Sequence, residues 1–405
     1  MTPTIVKAAD AAQFLSFVPR LLGFRPTRSL VVIPFHGTRS LGAMRFDLPP
    51  DGDAVERVAS TVVGMVCRLP DAEAIAAIVY TDACFAGEGM PHRALLDAVA
   101  LHADACGVGV GDLLCVAADA WASALDPGCP PGGRPLGELL RDDAAVDGLP
   151  APDGDQLSGA ELPECAPDQR ARVAHAIGEL PRALALLGGP DSRSEPDAAT
   201  SPVTAPADDL GPVPAPVDGE AADAASIESE AERVDPRALA AAARLDDLPE
   251  LFEVVLEDPD ALDAYDLAAI AWCLARPSLR DIALVQWSGD LHQGDEALTA
   301  QLRWETGEEY PPHLAMRMWG EGDQPSALRL DTALRLARRV AASVPRTARP
   351  GPLAMCAWLA WALGRSTHAA EYAQRACDIE PDHGLSQIVL SFVHAGHLPD
   401  WAFRR

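Results

Sequence analysis

Ser29-Leu30-Val31-Val32-Ile33-Pro34-Phe35 is a nearly unbroken run of β-branched and apolar residues, and the polar turn His36-Gly37-Thr38 separates it from a second apolar stretch, Leu41 to Leu48. Such a pair reads as two strands forming a hairpin. Downstream, Asp53 with Glu56 gives a capping signal, and Val55, Val58, Val62 and Leu69 recur at helical spacing until Pro70. Ile75 to Thr81 is apolar without alternation, as in a strand buried on both faces. Pro91 suits the first turn of a helix that carries Leu95, Val99 and His102 on one face and stops at Gly107. Leu113 to Ala117 then reads as another strand. Strand, helix, strand, helix, strand implies parallel crossovers, so this unit is expected to be an α/β domain with helices packed on its sheet.

The order decays after Trp121 into Asp126-Pro127-Gly128-Cys129-Pro130-Pro131-Gly132-Gly133, which is too rich in Pro and Gly for a regular element. Residues 166–187 can form a helix interrupted near Pro181. Residues 190–232 hold eleven Asp or Glu against the single Arg193, with little apolar mass to offset ordering entropy, so 188–232 is expected to be a disordered acidic linker. From Pro236 the pattern is helical throughout. Asp258-Pro259 opens one helix with Leu267, Ile270 and Leu274 on a face. Pro277 ends it, Ser278 with Asp281 restarts the next, and Pro325 opens another that lasts to Pro345. The expected organisation is therefore 1–135 α/β, 136–187 an irregular and helical extension, 188–232 linker, and 233–405 all-α.

Leu21-Leu22-Gly23-Phe24-Arg25-Pro26, Arg45-Phe46-Asp47-Leu48-Pro49, Arg280-Asp281 and the closing segment Ala376 to Pro381 resemble an actinobacterial family, domain of unknown function 4192, over about 1–135 and 235–398. That resemblance implies no activity. The family pattern carries a Trp-x-Ser-Tyr-like stretch and a Cys-Cys pair before Pro-Pro. Here Trp121-Ala122-Ser123-Ala124 lacks the second aromatic and Cys129 stands alone before Pro130, so no cysteine metal site is expected. The last helices are similar to a tetratricopeptide helix pair, with Gly364, Ala369 and Ala376 on the small positions ahead of Pro381. Leu353 and Cys356 depart from it.

A net charge of −28 argues against nucleic acid and anionic membranes as partners. The nine cysteines include no Cys-x-x-Cys pair, and no apolar stretch approaches the roughly 20 residues needed to span a bilayer. With no basic-then-apolar signal at the start, a cytoplasmic location is expected.

No complete catalytic or cofactor motif is present, so no cofactor is expected, with Mg²⁺ as the one alternative. Asp47, Asp82 and Asp119 fall at strand ends, where ligands of α/β sheets collect and carboxylates can hold that ion. Arg45 and Asp47 share one face of a strand and, with Arg25, Tyr80 and Asp82, form a candidate anion or ligand site. The plainer reading is a structural ion pair. The loop Phe85 to Pro91 has glycines that a phosphate could approach, but it lacks the full pattern. Trp358 and Trp361 read as helical core; His383, His394 and His397 lie near one another, but the first is in a turn beside Pro381-Asp382, so no metal site is expected there. Arg329, Arg335, Arg338 and Arg339, with Arg346 and Arg349, concentrate positive charge on the helical part and are candidates for contact with an acidic partner segment, the 190–232 stretch included. These features together favour a non-enzymatic adapter that binds a protein or peptide through its helices. The alternative is a metal-assisted hydrolase or nucleotide-binding enzyme at the strand edge.

Overall fold

A computed structural model describes residues 8–50, 53–85, 89–140, 151–188 and 234–404. The expected 188–232 linker lies, apart from Gly188, outside the described residues, as do Ala86–Glu88 of the glycine-containing loop. Helix α1 (Ala11–Leu22) starts at Asp10, whose carboxylate accepts the Gln13 N–H, and stops at Gly23 in the left-handed region, φ 83°. Strand β1 (Ser29–His36) is followed by two short strands, β2 (Arg39–Ser40) and β3 (Met44–Asp47), in place of the single strand expected over 41–48. Gly42, at φ 130°, lies in the break between them.

Helix α2 (Asp53–Cys67), β4 (Ala74–Tyr80), α3 (Arg93–Ala105) and β5 (Gly109–Val116) follow. Pro91 precedes α3 instead of opening it, with His92 at φ 54° between them. β1 runs antiparallel to both β3 and β4, so β3 and β4 point the same way, and β4 pairs with β5 in parallel. Helix α2 is thus the crossover from β3 over β1 to β4, and α3 is the crossover from β4 to β5. Two further strands, β6 (Ala120–Ser123) and β7 (Arg134–Pro135), extend the far edge antiparallel. The sheet is mixed, in the order β2–β1–β4–β5–β6–β7 with β3 beside β1.

Side chains alternate across that sheet. Leu30, Val32, Ile75, Ala77, Val79 and Leu113 face α2 and α3. Val31, Ile33, Ile78, Tyr80, Leu114 and Trp121 face α1. β4 is buried on both sides, as its unbroken apolar run implies.

Helix α4 (Pro167–Leu187) continues through Pro181 where an interruption was expected. It packs on α5 (Pro236–Ala243) and α7 (Ala264–Leu274), so burial of Val173, Ala176, Leu180 and Ala183 holds the helix across the missing N–H. Helix α6 (Leu248–Glu257) precedes α7, and α7 starts five residues later than expected, at a reciprocal Asp263–Asp266 capping box instead of Asp258. Pro277 opens α8 (Pro277–Ser288) instead of closing α7. Next come α9 (Leu291–Glu305), α10 (Pro312–Arg317) and α11 (Ala327–Ser343), the last capped by Ser326 just after Pro325. α12 (Pro350–Ala362) is buried at every position, and Gly364 at φ 77° turns it into α13 (Ser366–Cys377), ahead of α14 (Gly384–His394). Trp287, Trp358 and Trp361 fill this helical core, as expected of the last two.

The α/β unit and the terminal helices touch. Arg45 reaches Thr367, Arg68 pairs with Asp400 at 2.7 Å and lies 3.9 Å from the Phe403 ring centre, and Gly396 sits against Met65. The segment 153–160 bridges the same two bodies. Gly154 accepts the Arg25 N–H at 3.0 Å and Ala160 accepts Arg375 at 3.3 Å.

Candidate functional site

Strand register places Asp47, Ser29, Tyr80, Val116, Trp121 and Arg134 in one row running across the whole sheet. Directly opposed residues share a face, so all six lie on the α1 side, at the carboxyl ends of β4 and β5. Two polar atoms in this row are orphans. The Tyr80 hydroxyl and the Trp121 indole N–H are buried without a hydrogen-bond partner, and burial pushes the Tyr80 phenol well above its ordinary range.

Arg45 lies two residues before Asp47 on the same face. Its Nε donates to Ser29 Oγ at 2.8 Å, one Nη donates to Thr367 Oγ1 at 2.8 Å, and the other pairs with the Asp47 carboxylate. The side chain is only 9% exposed and Asp47 is 86% exposed, so the pair spans from the interior to the surface. Each of its three nitrogens makes one of these contacts, which fixes the guanidinium between β1, α13 and Asp47.

Asp119 accepts the Phe85 N–H at 3.0 Å, tying the end of β4 to the β5–β6 turn. Asp82 and Arg25 are exposed. Among the described residues no three His, Cys, Asp or Glu side chains gather as a metal site, so Asp47, Asp82 and Asp119 are not brought together as one. Cys115, beside this region, is buried, and burial followed by the nearby Asp119 pushes its thiol up to about 12, which keeps it protonated and unreactive at neutral pH.

A cleft of about 530 Å³ opens on the same face, between the first turn of α1 and β5 to β7. Asp112, Trp121, Asp126, Arg134 and Glu138 line it. Arg134 pairs with Asp126 at 2.6 Å. That contact and the Gly128 N–H hold the Asp126 carboxyl below its usual range. Sequence reading left this cleft out. Arg134 sits in a Pro/Gly-rich stretch that resembles a bare loop, and only the eight-residue spacing of Asp126 and Arg134 around that loop hints at a pair.

Most of the helical arginines serve the fold. Arg329 binds Glu253 through two bonds of 2.8 and 2.6 Å, and Glu253 is held below its usual range by that contact first. Arg338 donates to the Glu161 carbonyl, and Arg339 to the Pro259 and Leu262 carbonyls. Arg335 is exposed. His383 is buried and bonded to Ser386, and His397 stacks on Trp361. At the end of α9, Leu302 and Trp304 stand 56% and 55% exposed, next to Glu305, Glu308 and Glu309. A Leu and a Trp this close to an acidic helix end are the sequence signal that could have drawn attention there.

A mixed α/β sheet docked against an array of helices is the class that this fold defines. The chain belongs to the family described as Domain of unknown function (DUF4192), whose model matches residues 12–156 and 327–400. No curated protein and no solved structure shows significant similarity to it. The two matched segments hold the α/β unit and α11 to α14, and both partners of the Arg45–Thr367 and Arg68–Asp400 contacts fall inside them. No helix among the described residues is long and apolar enough to cross a membrane.

Proposed function

We propose that the protein is a non-enzymatic, cytoplasmic interaction protein that engages a protein or peptide partner through its helical part. The observation that carries this reading is the end of α9. Every residue from Leu302 to Glu309 is exposed, and Leu302 and Trp304 stand in water on the last turns of α9. Tryptophan is the residue type most enriched in binding hot spots, and large apolar groups presented with a charged rim suit recognition better than they suit solvent. The acidic rim favours a partner with complementary basic groups. Arg335, exposed on α11, remains open to an acidic contact.

The polar groups of the α/β part support the same reading by their engagement. Arg45 joins the sheet to α13 through Thr367, and Asp119 holds a loop. The alternative, a metal-assisted hydrolase or nucleotide-binding enzyme using Asp47, Asp82 and perhaps Asp119, finds no group of three metal-holding side chains among the described residues to support its metal-assisted form.

Site-specific photo-crosslinking in cells tests the proposal, with the reactive residue placed at position 304 of the full chain and, as a control, at the exposed position 101. A discrete adduct from 304 alone, lost when Leu302→Ala is added, is expected. Identical diffuse adducts from both positions would remove the support for a partner surface at α9.

A further inference from the structure

We infer that Cys67 and Cys106 form a redox-active thiol pair, a modification site that closes reversibly to a disulfide when the chain meets a low-molecular-weight disulfide such as oxidised glutathione. This inference is independent of the helical surface discussed above.

The topology brings the two residues together. β3, β4 and β5 run the same way, so the crossover helices α2 and α3 both return along one face of the sheet, in contact with each other, with their carboxyl ends beside the starts of β4 and β5. Those starts are paired, Ala74 with Gly109, and the Gly109 N–H donates to the Glu73 carbonyl at 2.8 Å. Cys67 is the last residue of α2 and Cys106 caps the end of α3, while Val62, Val66, Val99 and Ala103 belong to the apolar core that the two helices share. At these helix ends the two thiols are in hydrogen-bond contact, and both residues are exposed to solvent. Two sulfurs that touch meet the first requirement of a disulfide, and their exposure lets a small reagent reach them. Arg68 follows Cys67 directly, pairs with Asp400 at 2.7 Å and lies over the Phe403 ring, so the bond forms beside the contact between the sheet unit and the C-terminal residues.

The reaction runs in two exchanges. The Cys106 thiolate attacks one sulfur of the small disulfide, a small thiolate leaves, and a mixed disulfide stands on Cys106. Cys67 then gives up its proton and attacks the Cys106 sulfur, the mixed bond breaks, and the second small thiolate leaves. Two protein thiols are oxidised to one disulfide, the small disulfide is reduced to two thiols, and the departing thiolates take up the two protons. Desolvation, and then the contact with Cys106, pushes the Cys67 thiol up, which slows its attack on an outside reagent. Its place is therefore the second, intramolecular step, where proximity raises the effective concentration of the attacking group. In a reducing compartment the pair stays open, and a rise in the pool of small disulfides closes it.

Equilibration of the full chain with mixtures of reduced and oxidised glutathione tests this, with acid quenching, alkylation, a non-reducing gel and peptide mass spectrometry without reduction. A peptide pair joined through Cys67 and Cys106 is expected in the single-chain band. Closure releases two reduced glutathiones for each oxidised one consumed, so raising total glutathione about tenfold at a fixed ratio of the two forms is expected to lower the closed-to-open ratio about tenfold. A mixed disulfide on the exposed Cys84 is expected to stay constant in the same series. Cys67→Ser is expected to leave Cys106 carrying glutathione, with no joined pair. Mixed disulfides on Cys106 with no joined peptide at any glutathione level, a joined pair confined to a two-chain band, or a closed-to-open ratio that does not respond to total glutathione overturns the inference.

Discussion

Arg45, on the edge strand β3, donates its guanidinium N–H to the hydroxyl of Thr367 at the start of α13, 322 residues further along the chain. The same guanidinium holds Ser29 in β1 and Asp47 in its own strand, so one side chain joins the sheet to the terminal helices.

Removing it leaves the Ser29 and Thr367 hydroxyls short of a donor in a partly buried junction. Arg45→Met is expected to lower stability by about 1–3 kcal/mol, read as a fall in the urea midpoint at unchanged slope. Thr367→Val removes one bond only and is expected to cost about 1 kcal/mol. A neutral Arg45→Met would mean that the junction contributes nothing.

Glu253 predicts a pH dependence. Arg329 foremost, and Gln286 after it, hold its carboxyl below the ordinary value in the folded chain. A depressed carboxylate adds stability above its unfolded pKa, and that stability is lost as pH falls through the folded value. Glu253→Gln is therefore expected to be less stable than the natural chain at pH 7, by on the order of 1 kcal/mol, and to converge with it toward pH 3. A constant gap between the two chains from pH 7 to pH 3 would contradict this.

Gly351 packs the first turn of α12 against the backbone at the end of α7. A Cβ there would lie 2.2 Å from the Leu274 carbonyl oxygen, and backbone cannot give way as a side chain can. Gly351→Ala is expected to destabilise by about 2 kcal/mol or more, visible as a lower Tm by scanning calorimetry.

Thiol accessibility gives a map independent of stability. Cys84 and Cys106 are exposed and are expected to be alkylated first, with Cys67 slower because desolvation, and then its contact with Cys106, pushes its thiol up. Cys115, Cys273 and Cys356 are buried, with thiols pushed up to about 12 or beyond, and are expected to react only on unfolding. Peptide mass spectrometry after timed alkylation checks the order.

The sheet was legible where local periodicity carries it. β1, α2, β4, α3 and β5 each announce themselves by spacing, and the helical region by its capping and proline signals. β6 was not legible. Ala120 to Ser123 is a four-residue strand whose identity depends on pairing with β5, and nothing in so short a stretch separates it from a loop. α1 carries Pro19 in its interior and is held by burial of Leu15 and Val18 on the sheet, which is a tertiary cause. Part of the site was visible for the same reasons. Period-two alternation puts Arg45 and Asp47 on one face, but Thr367 is too distant in sequence for any spacing rule to reach. The arginines of α11 read as an open basic face because spacing tells which way side chains point. It does not tell which carbonyls, such as Glu161, Pro259 and Leu262, they meet.

The direct test of a docked sheet and helical array is a single urea titration of the full Trp121→Phe chain followed by two probes. Pulsed alkylation of Cys115 reports opening of the sheet core, and indole fluorescence, whose remaining tryptophans all lie in the helical part with Trp287, Trp358 and Trp361 buried, reports the helical core. Coincident midpoints are expected, because the Arg45–Thr367 and Arg68–Asp400 contacts couple the two bodies. Two separated midpoints, unchanged by Arg45→Met, would contradict it.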